Sequence, residues 1–212
     1  MNGDTAGEAI AGAREALGRK FFPEEEKRLA LFINDILEMG RKTHLVGRER
    51  IGANIIRQVA DSAILLDFFE RECAGKKRVA DIGSGAGFPG MVWKILNPDL
   101  QVWLIERKGK LADFLSREKR RLRLEGVDIF REDALRLNLP PSGAVVSKAA
   151  GRLNKILPLA ERLLEGGGFY ITIKEPGWDR SEMPQREGVM VKIIEQEVGR
   201  GRGTVLIFRK GS

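Results

Sequence analysis

The segment at residues 81–90, DIGSGAGFPG, has the residue types and spacing that are most specific for ligand chemistry in this sequence. A short apolar run, RVADIG (78–83), leads into it, and a run with helical character, FPGMVWKILNP (88–98), follows. Glycines between a strand and a helix let the backbone turn sharply and come within contact distance of a bound molecule. The segment is therefore predicted to be a ligand-binding loop.

Two ligand classes fit the glycine spacing of this loop. Gly85, Gly87 and Gly90 match G-x-G-x-x-G, the dinucleotide-binding pattern. Gly83, Gly85 and Gly87, with Asp81 two residues ahead of them, match D-x-G-x-G-x-G, which is typical of loops that bind S-adenosylmethionine. A glycine turn with a purely structural role is the third interpretation.

Acidic residues near the ends of three predicted strands favour S-adenosylmethionine as the cofactor. Asp81 would lie near the cationic amino-acid end of that molecule, whereas its carboxylate would repel the pyrophosphate of a dinucleotide. Glu106 ends the second strand, where a carboxylate can accept hydrogen bonds from ribose hydroxyls. Glu132 and Asp133 follow the third strand, and an acid there can accept a hydrogen bond from the adenine amino group.

The elements that position these residues form two predicted parts, a helical extension at residues 1–75 and an α/β domain at residues 76–212. Helical periodicity predicts three helices in the extension, one ending at Gly18, one from Pro23 to Gly40 and one over 51–72. The predicted strands of the domain are 78–83, 101–106, 127–130, 143–149, 168–174, 189–198 and 204–210. Its predicted helices are 88–98, 108–125 and 153–168.

Alternation of strands and helices specifies a parallel sheet with helices on both faces. The last two predicted strands are joined by GRGRG (199–203), which is typical of an antiparallel hairpin. Five parallel strands followed by such a hairpin resemble the mostly parallel, seven-stranded sheet of class I methyltransferases. We expect this α/β fold, preceded by the helical extension, in one compact unit.

Composition limits the remaining functions. The 212 residues include 37 Lys and Arg against 30 Asp and Glu, a formal charge of +7, and the sequence pI near 9.7 favours a polyanionic partner. Cys73 is the only cysteine and His44 the only histidine, which excludes an intrachain disulfide and cysteine- or histidine-rich metal sites. No apolar run approaches the ~20 residues of a membrane span. We expect a cytoplasmic monomer without a metal.

The predicted helix at 108–125 is strongly basic. Eight Lys and Arg lie between residues 107 and 123, against the two acids Asp113 and Glu118. Its apolar residues form a single stripe, so the charged side chains are expected to project outward. We expect Lys119, Arg120 and Arg123 to contact RNA phosphates. A face that is merely solvated is the alternative.

Polar residues at three other places have roles that the sequence leaves open. Lys148 and Arg152 follow the fourth strand, and the carboxyl ends of parallel strands face the ligand crevice, so both are expected on the substrate side. His44 lies in a charged loop and could contact RNA or only solvent. Asp61 and Ser62 interrupt an apolar helix face, where they could face the cofactor or bond to the local backbone.

The loop GSGAGFPG, and its extension Phe88-Pro89-Gly90 above all, resembles the loop of bacterial 16S ribosomal RNA guanine-N7 methyltransferases, the glucose-inhibited division protein B family. The family's K-x-N-L-T, H-x-x-D-S and S-R-A segments are similar to residues 42–46, 58–62 and 147–149. Among the departures from these segments, His44 replaces Asn, Gln58 replaces His and Lys148 replaces Arg.

The resemblance implies methyl transfer from S-adenosylmethionine to N7 of a guanine in 16S ribosomal RNA, free or in the small ribosomal subunit. Guanine N7 has a lone pair, so no general base is expected, and Lys148 is expected to position the substrate. Expected RNA contacts are His44, Lys119, Arg120, Arg123 and Arg152. Expected cofactor contacts are Asp81, Gly83, Ser84, Gly85, Gly87, Phe88, Glu106, Glu132, Asp133 and Lys148.

Two other functions fit the same sequence. One is a methyltransferase for a small molecule or a protein, with a basic helix that only aids solubility. The other is a non-catalytic RNA-binding protein with the same fold. The complete set of Asp81, Gly83, Gly85, Gly87 and Glu106 argues against the second, because RNA binding alone does not need it.

Overall fold

The computed structural model describes residues 4–42, 48–148, 151–183, 190–198 and 201–211. Its helices are α1 (Thr5–Leu17), α2 (Pro23–Lys42), α3 (Arg48–Glu72), α4 (Gly90–Leu96), α5 (Gly109–Arg121) and α6 (Leu153–Leu163). Its strands are β1 (Arg78–Ile82), β2 (Gln101–Ile105), β3 (Val127–Phe130), β4 (Ser142–Lys148), β5 (Leu164–Lys174), β6 (Met190–Val198) and β7 (Gly201–Arg209). A short 3-10 helix spans Arg180–Glu182.

The seven strands form one sheet in the order β3-β2-β1-β4-β5-β7-β6. Strands β1 to β5 pair in parallel, whereas β7 pairs antiparallel with both β5 and β6. Strand β1 lies inside the sheet between β2 and β4, and all its residues after Arg78 are buried, as expected for a parallel strand with helices over both faces. The predicted class I methyltransferase fold is confirmed.

The helical extension and the sheet share one apolar core. Phe32 of α2 and Leu66 of α3 belong to the same buried cluster as Val79 of β1 and Trp93 of α4. The indole N–H of Trp93 donates to the backbone oxygen of Ser62 at 2.8 Å, which joins α4 to α3. The extension therefore packs directly beside the loop that follows β1.

The end of α6 differs from the sequence prediction, which was wrong there. The predicted helix over 153–168 ends at Leu163, and β5 begins at Leu164, so the Gly166-Gly167-Gly168 run lies in a strand. Leu164 pairs with Ser142 of β4, and the register shifts before the next pair, Ala144 and Phe169. Glycines fit this irregular stretch because a Cβ on Gly168 would lie 3.1 Å from the backbone oxygen of Gly143.

Two smaller boundaries also differ from prediction. The basic helix α5 spans only Gly109–Arg121, and β7 begins at Gly201 instead of residue 204, so strand pairing takes up most of the predicted GRGRG turn. The helices within the described residues are too short or too polar to cross a bilayer.

Candidate active site

The loop after β1 is held by hydrogen bonds from three sides. The Asp81 carboxylate accepts the Gly90 N–H at 3.0 Å, and the Ser84 hydroxyl donates to the Asp81 backbone oxygen at 3.0 Å. The Gly85 N–H donates to Glu106 Oε2 at 2.9 Å, which joins the loop to the end of β2. The loop is thus shaped by side chains that the sequence analysis assigned to the cofactor.

Two glycines of the loop serve different purposes. Gly87 has a φ of +104°, and a Cβ there would lie 2.7 Å from Met91 Cγ and 2.9 Å from Phe32 Cζ, so its role is close packing against α4 and α2. Gly85 has a φ of +57°, and the nearest atom to its Cβ position would be the Gly83 backbone oxygen at 3.9 Å. The space above Gly85 is therefore open to a ligand.

A cleft of about 760 Å³ lies at the carboxyl ends of the central strands, beside this loop. It brings together seven residues that the sequence predicted for the site: Gly83, Gly85, Glu106, Glu132, Asp133, Lys148 and Arg152. Its apolar lining comes from β1, β2, α5, the loop after β3 and α6: Ile82, Ile105, Leu111, Ala134, Leu135, Ile156 and Leu159. Apolar walls with a few polar groups are typical of small-molecule sites of this size.

The acids of the cleft are oriented by backbone donors. Glu106 is buried, and its two oxygens accept the N–H groups of Gly85 and Lys108 at 2.9 and 2.8 Å. Asp133 Oδ1 accepts the Leu135 N–H at 3.0 Å, and its Oδ2 lies 3.7 Å from Arg107. Carboxylates have about four acceptor positions, so both acids keep capacity for hydroxyl or amino groups of a ligand.

A second cavity of about 320 Å³ lies between the loop and the helical extension. Ser84 and Phe88 of the loop after β1 and Lys148 at the end of β4 line it on one side, and it shares Gly83, Gly85 and Lys148 with the cleft. The sequence analysis missed its lining from α2 and α3: Ile36, Met39, Ile51, Asn54 and Ile55. Ile36, Ile51 and Ile55 belong to the apolar periodicity that predicted the helices of the extension.

Lys148 lies at the boundary of the two cavities. Its Nζ is 3.8 Å from Asp61 Oδ2, 3.4 Å from the backbone oxygen of Gln58 and 5.4 Å from the ring centre of Phe88. Burial lowers the pKa of Lys148 to about 8, although Asp61 opposes that shift. Burial disfavours the charged form of Asp61 as well and so raises its pKa, whereas Lys148 and Arg57 lower it.

Asp61 and Ser62 of α3 have different partners. The Ser62 hydroxyl donates to the Gln58 backbone oxygen at 2.6 Å, which is local bonding within the helix, whereas the Asp61 carboxylate faces Lys148. Arg57, one helical turn before Asp61, lies 3.9 Å from it and also forms an ion pair with Glu175 after β5. Asp61 therefore belongs to a network of charges with Lys148, Arg57 and Glu175.

Asp81 lies below the loop rather than on the surface of either cavity. Its side chain is fully buried, Oδ2 is bonded to Gly90, and Oδ1 has no hydrogen-bond partner among the described residues. Burial raises the pKa of Asp81 to about 7, although the Gly90 N–H opposes that shift. Its expected contact with a cofactor stays a prediction, and its observed contacts hold the loop.

The basic residues predicted for RNA contact lie in several places. Arg152 lines the cleft. Lys119 lies 3.9 Å from Asp128, and Arg120 and Arg123 are exposed, but these three residues line neither cavity. His44 lies outside the described residues.

The expectation that all charges of α5 project outward is wrong for Glu118. This side chain is fully buried between α5 and α2, in contact with the side chain of Asp35. Burial and the neighbouring Asp35 raise the pKa of Glu118 to about 7. Because Glu118 stands among basic residues in the sequence, its charge gave no sign that it faces inward.

Solved structures similar to this one share its fold. The O-methyltransferase TomG from Streptomyces achromogenes, solved in complex with SAM, aligns with a TM-score of 0.59 at 15% identity, over 85% of this chain and 90% of that chain. TrmN from Thermus thermophilus aligns with a TM-score of 0.58 at 18% identity, over 70% and 48% of the two chains. At such low sequence identity, these similarities show only that the fold is shared.

Sequence comparison identifies a narrower group. Ribosomal RNA small subunit methyltransferase G of Mycoplasma capricolum is 32% identical over 155 residues, 72% of this chain and 66% of the relative. The protein of that name from Ruthia magnifica is 24% identical over 90% of this chain and 91% of the relative. The family model GidB, described as rRNA small subunit methyltransferase G, matches residues 25–199. This chain therefore belongs to the rRNA small subunit methyltransferase G family.

Proposed function

We propose that this protein transfers the methyl group of S-adenosylmethionine to N7 of a guanine in 16S ribosomal RNA. The observation that carries the proposal is the cleft beside the loop after β1, where Glu106 and Asp133 lie near open space above Gly85. Family membership supports RNA as the substrate. The formal charge of +7 agrees with a polyanionic partner.

The residues of the cleft fit the chemical groups of S-adenosylmethionine. Glu106 would accept hydrogen bonds from the ribose hydroxyls, and Asp133 would accept one from the adenine amino group. The apolar lining of the cleft suits the two faces of the adenine ring. Open space above Gly85 lets a ligand approach the backbone there. Together these features support S-adenosylmethionine as the molecule that the cleft holds.

The chemistry needs little acid–base assistance from the protein. When bound, S-adenosylmethionine supplies an electrophilic methyl group on a sulfonium centre. Guanine N7 already has a lone pair in the plane of the ring, so no proton has to be removed first. The residues of the site would therefore act by orienting the guanine and by excluding water.

Lys148 is the residue best placed to position the acceptor, because it lines both cavities. A positive charge develops on the guanine ring during transfer, so an ammonium against the ring would oppose the reaction. Contact of Lys148 with guanine O6 or with a phosphate avoids that cost. Asp61, 3.8 Å from the Lys148 ammonium, would also offset its charge.

The proposal is tested with purified protein, radiolabelled S-adenosylmethionine and 16S RNA from a strain that lacks the corresponding gene. We expect label in the RNA, and 7-methylguanosine in its nuclease digest by mass spectrometry. The same RNA inside small ribosomal subunits is tested in parallel. Absence of 7-methylguanosine from both substrates would contradict the proposal, as would label that enters only a protein or a small molecule.

A further inference from the structure

A third cavity, of about 860 Å³, lies between α2 and α5. Met39 of α2 and Leu111 and Phe114 of α5 contribute apolar surface, and Lys108, Lys110 and Arg117 contribute positive charge. We call this cavity the α2–α5 groove. Lys119, Arg120 and Arg123, the residues of this region that the sequence analysis predicted to contact RNA, do not line it.

Helical spacing places the basic residues of α5 on two different faces of the helix. Lys110, Phe114, Arg117 and Arg121 recur at intervals of four, three and four residues, which places them on one face of the helix. Lys119 follows Lys110 by nine residues, about two and a half turns, and so lies on the opposite face. One face of α5 thus presents its positive charge to the groove.

The charges of the groove differ in how far they are already neutralised. Arg121 pairs with Asp35, and the Arg117 guanidinium lies 5.1 Å from the Phe114 ring centre and 3.3 Å from Glu118. Lys108 and Lys110 are exposed, and within the described residues neither has an ion-pair partner. One exposed acid, Glu38, also lines the groove. Two exposed ammonium groups are therefore available to an anionic ligand beside half-buried apolar surface.

The groove adjoins both cavities of the candidate active site. It shares Lys108 and Leu111 with the cofactor cleft, and Met39 and Gly40 with the cavity beside the loop. A strand whose target base reached the Lys148 region would therefore have its next nucleotide near the groove. Lys108 lies where the groove and the cleft meet.

We infer that the α2–α5 groove binds a nucleotide of single-stranded RNA that flanks the methylated guanine. Its phosphate lies against Lys108 and Lys110, and its base packs on Met39 and Leu111. Apolar surface next to cations suits an unpaired nucleotide, because a base in a duplex is stacked and hides its faces. The inference rests on the proposed function for the identity of the neighbouring base.

The test measures binding of a labelled 12-nucleotide single-stranded RNA, and of the same sequence as a duplex, at several salt concentrations. Lys108→Gln with Lys110→Gln removes two positive charges without leaving a buried carboxylate unpaired. Lys20→Gln with Lys77→Gln is the matched control, since both lysines are exposed and Lys77 precedes β1, at the edge of the sheet opposite the loop. Lys119→Gln with Arg120→Gln tests the other face of α5.

We expect the groove variant to weaken single-strand binding about tenfold at low salt and to reduce the salt slope by about 0.7, the value for one phosphate contact on a single strand. The control variant should keep wild-type affinity, and the wild type should prefer the single strand to the duplex. Thermal melting checks that the groove variant keeps its fold. Lys110→Gln alone, at a residue that lines the groove but not the cleft, should weaken single-strand binding and leave S-adenosylmethionine affinity unchanged.

Three results would overturn the inference: unchanged binding by the groove variant, a larger loss in the Lys119 and Arg120 variant, or equal affinity for single strand and duplex. Failure of the proposed function has a different signature, which is single-strand binding by the wild type without any 7-methylguanosine product. The two failures are therefore distinguishable in the same set of proteins.

Discussion

Lys148 Nζ, at the carboxyl end of β4, lies 3.8 Å from Asp61 Oδ2 on α3, and both side chains are at least 94% buried. An unpaired buried ammonium is costly, and a facing carboxylate offsets part of that cost. The pair joins the sheet to the helical extension at the point where the two candidate cavities meet. The extension therefore contributes to the candidate site as well as to the core.

We predict that the methylation rate at saturating RNA declines as the pH rises through about 8. Burial lowers the pKa of Lys148 to about 8, and in the proposed function its ammonium group positions the acceptor. Lys148→Ala should lower the rate at every pH. Lys148→Arg should keep activity and lose the decline, since guanidinium stays charged. Initial rates between pH 6.5 and 9.5 check this, and a fully active Lys148→Ala variant would remove Lys148 from the site.

Asp61→Asn should move the decline of the rate to lower pH. The Asp61 carboxylate raises the pKa of Lys148, which burial lowers. Among the other charged groups near Lys148, Arg57 lowers this pKa, and Asp81 and Glu175 raise it. Asp67→Asn is the matched control, because Asp67 lies on the same helix but pairs with the exposed Arg71. The same pH–rate profile in Asp61→Asn and the wild type would mean that Asp61 does not act through Lys148.

Valine at the two loop glycines should separate binding from folding. Gly85→Val should abolish S-adenosylmethionine binding, since the branched side chain fills the open space that a ligand would occupy. Gly87→Val should lower the melting temperature more, because its Cβ would lie 2.7 Å from Met91 Cγ. Calorimetric titration with S-adenosylmethionine and NAD, together with thermal melts, checks both. NAD binding without S-adenosylmethionine binding by the wild type would contradict the cofactor assignment.

Removal of the two cleft acids should weaken cofactor binding to different extents. Glu106→Ala should cost about 1.5–3 kcal/mol of S-adenosylmethionine binding, the range for hydrogen bonds to a charged group. Asp133→Ala should cost less, because one hydrogen bond from the adenine amino group is lost. Glu125→Ala is an exposed control beyond the end of α5. Wild-type affinity in both cleft variants would show that neither acid binds the cofactor.

Glu118→Gln should remove part of the pH dependence of stability. The pKa of Glu118 is raised to about 7 from an ordinary 4.5, so between those values the folded protein holds a proton that the unfolded chain has released. The wild-type free energy of unfolding should therefore fall as the pH rises from about 4.5 to about 7. Urea unfolding at pH 5 and pH 8 should show a smaller fall in Glu118→Gln than in the wild type or in the exposed control Glu125→Gln.

The order of elements follows from local sequence signals. Gly18, in a left-handed conformation, ends α1, and Pro23 begins α2. Both ends were predictable, because glycine commonly follows the last residue of a helix and proline commonly occupies the first. The boundary between α6 and β5 was not predictable in this way, because pairing of Leu164 with Ser142 of β4 decides it. A strand end set by a distant partner strand leaves little trace in the local sequence.

The sequence by itself determined the fold class, the glycine loop after β1 and the acids near the strand ends, because strands in a parallel sheet bring their carboxyl ends to one edge. Only the tertiary structure decided what the helical extension contributes. The contact of Asp61 with Lys148 joins residues 87 positions apart, and the contact of Asp35 with Glu118 joins two different helices. Such contacts depend on how α2 and α3 pack against the sheet, which periodicity does not specify.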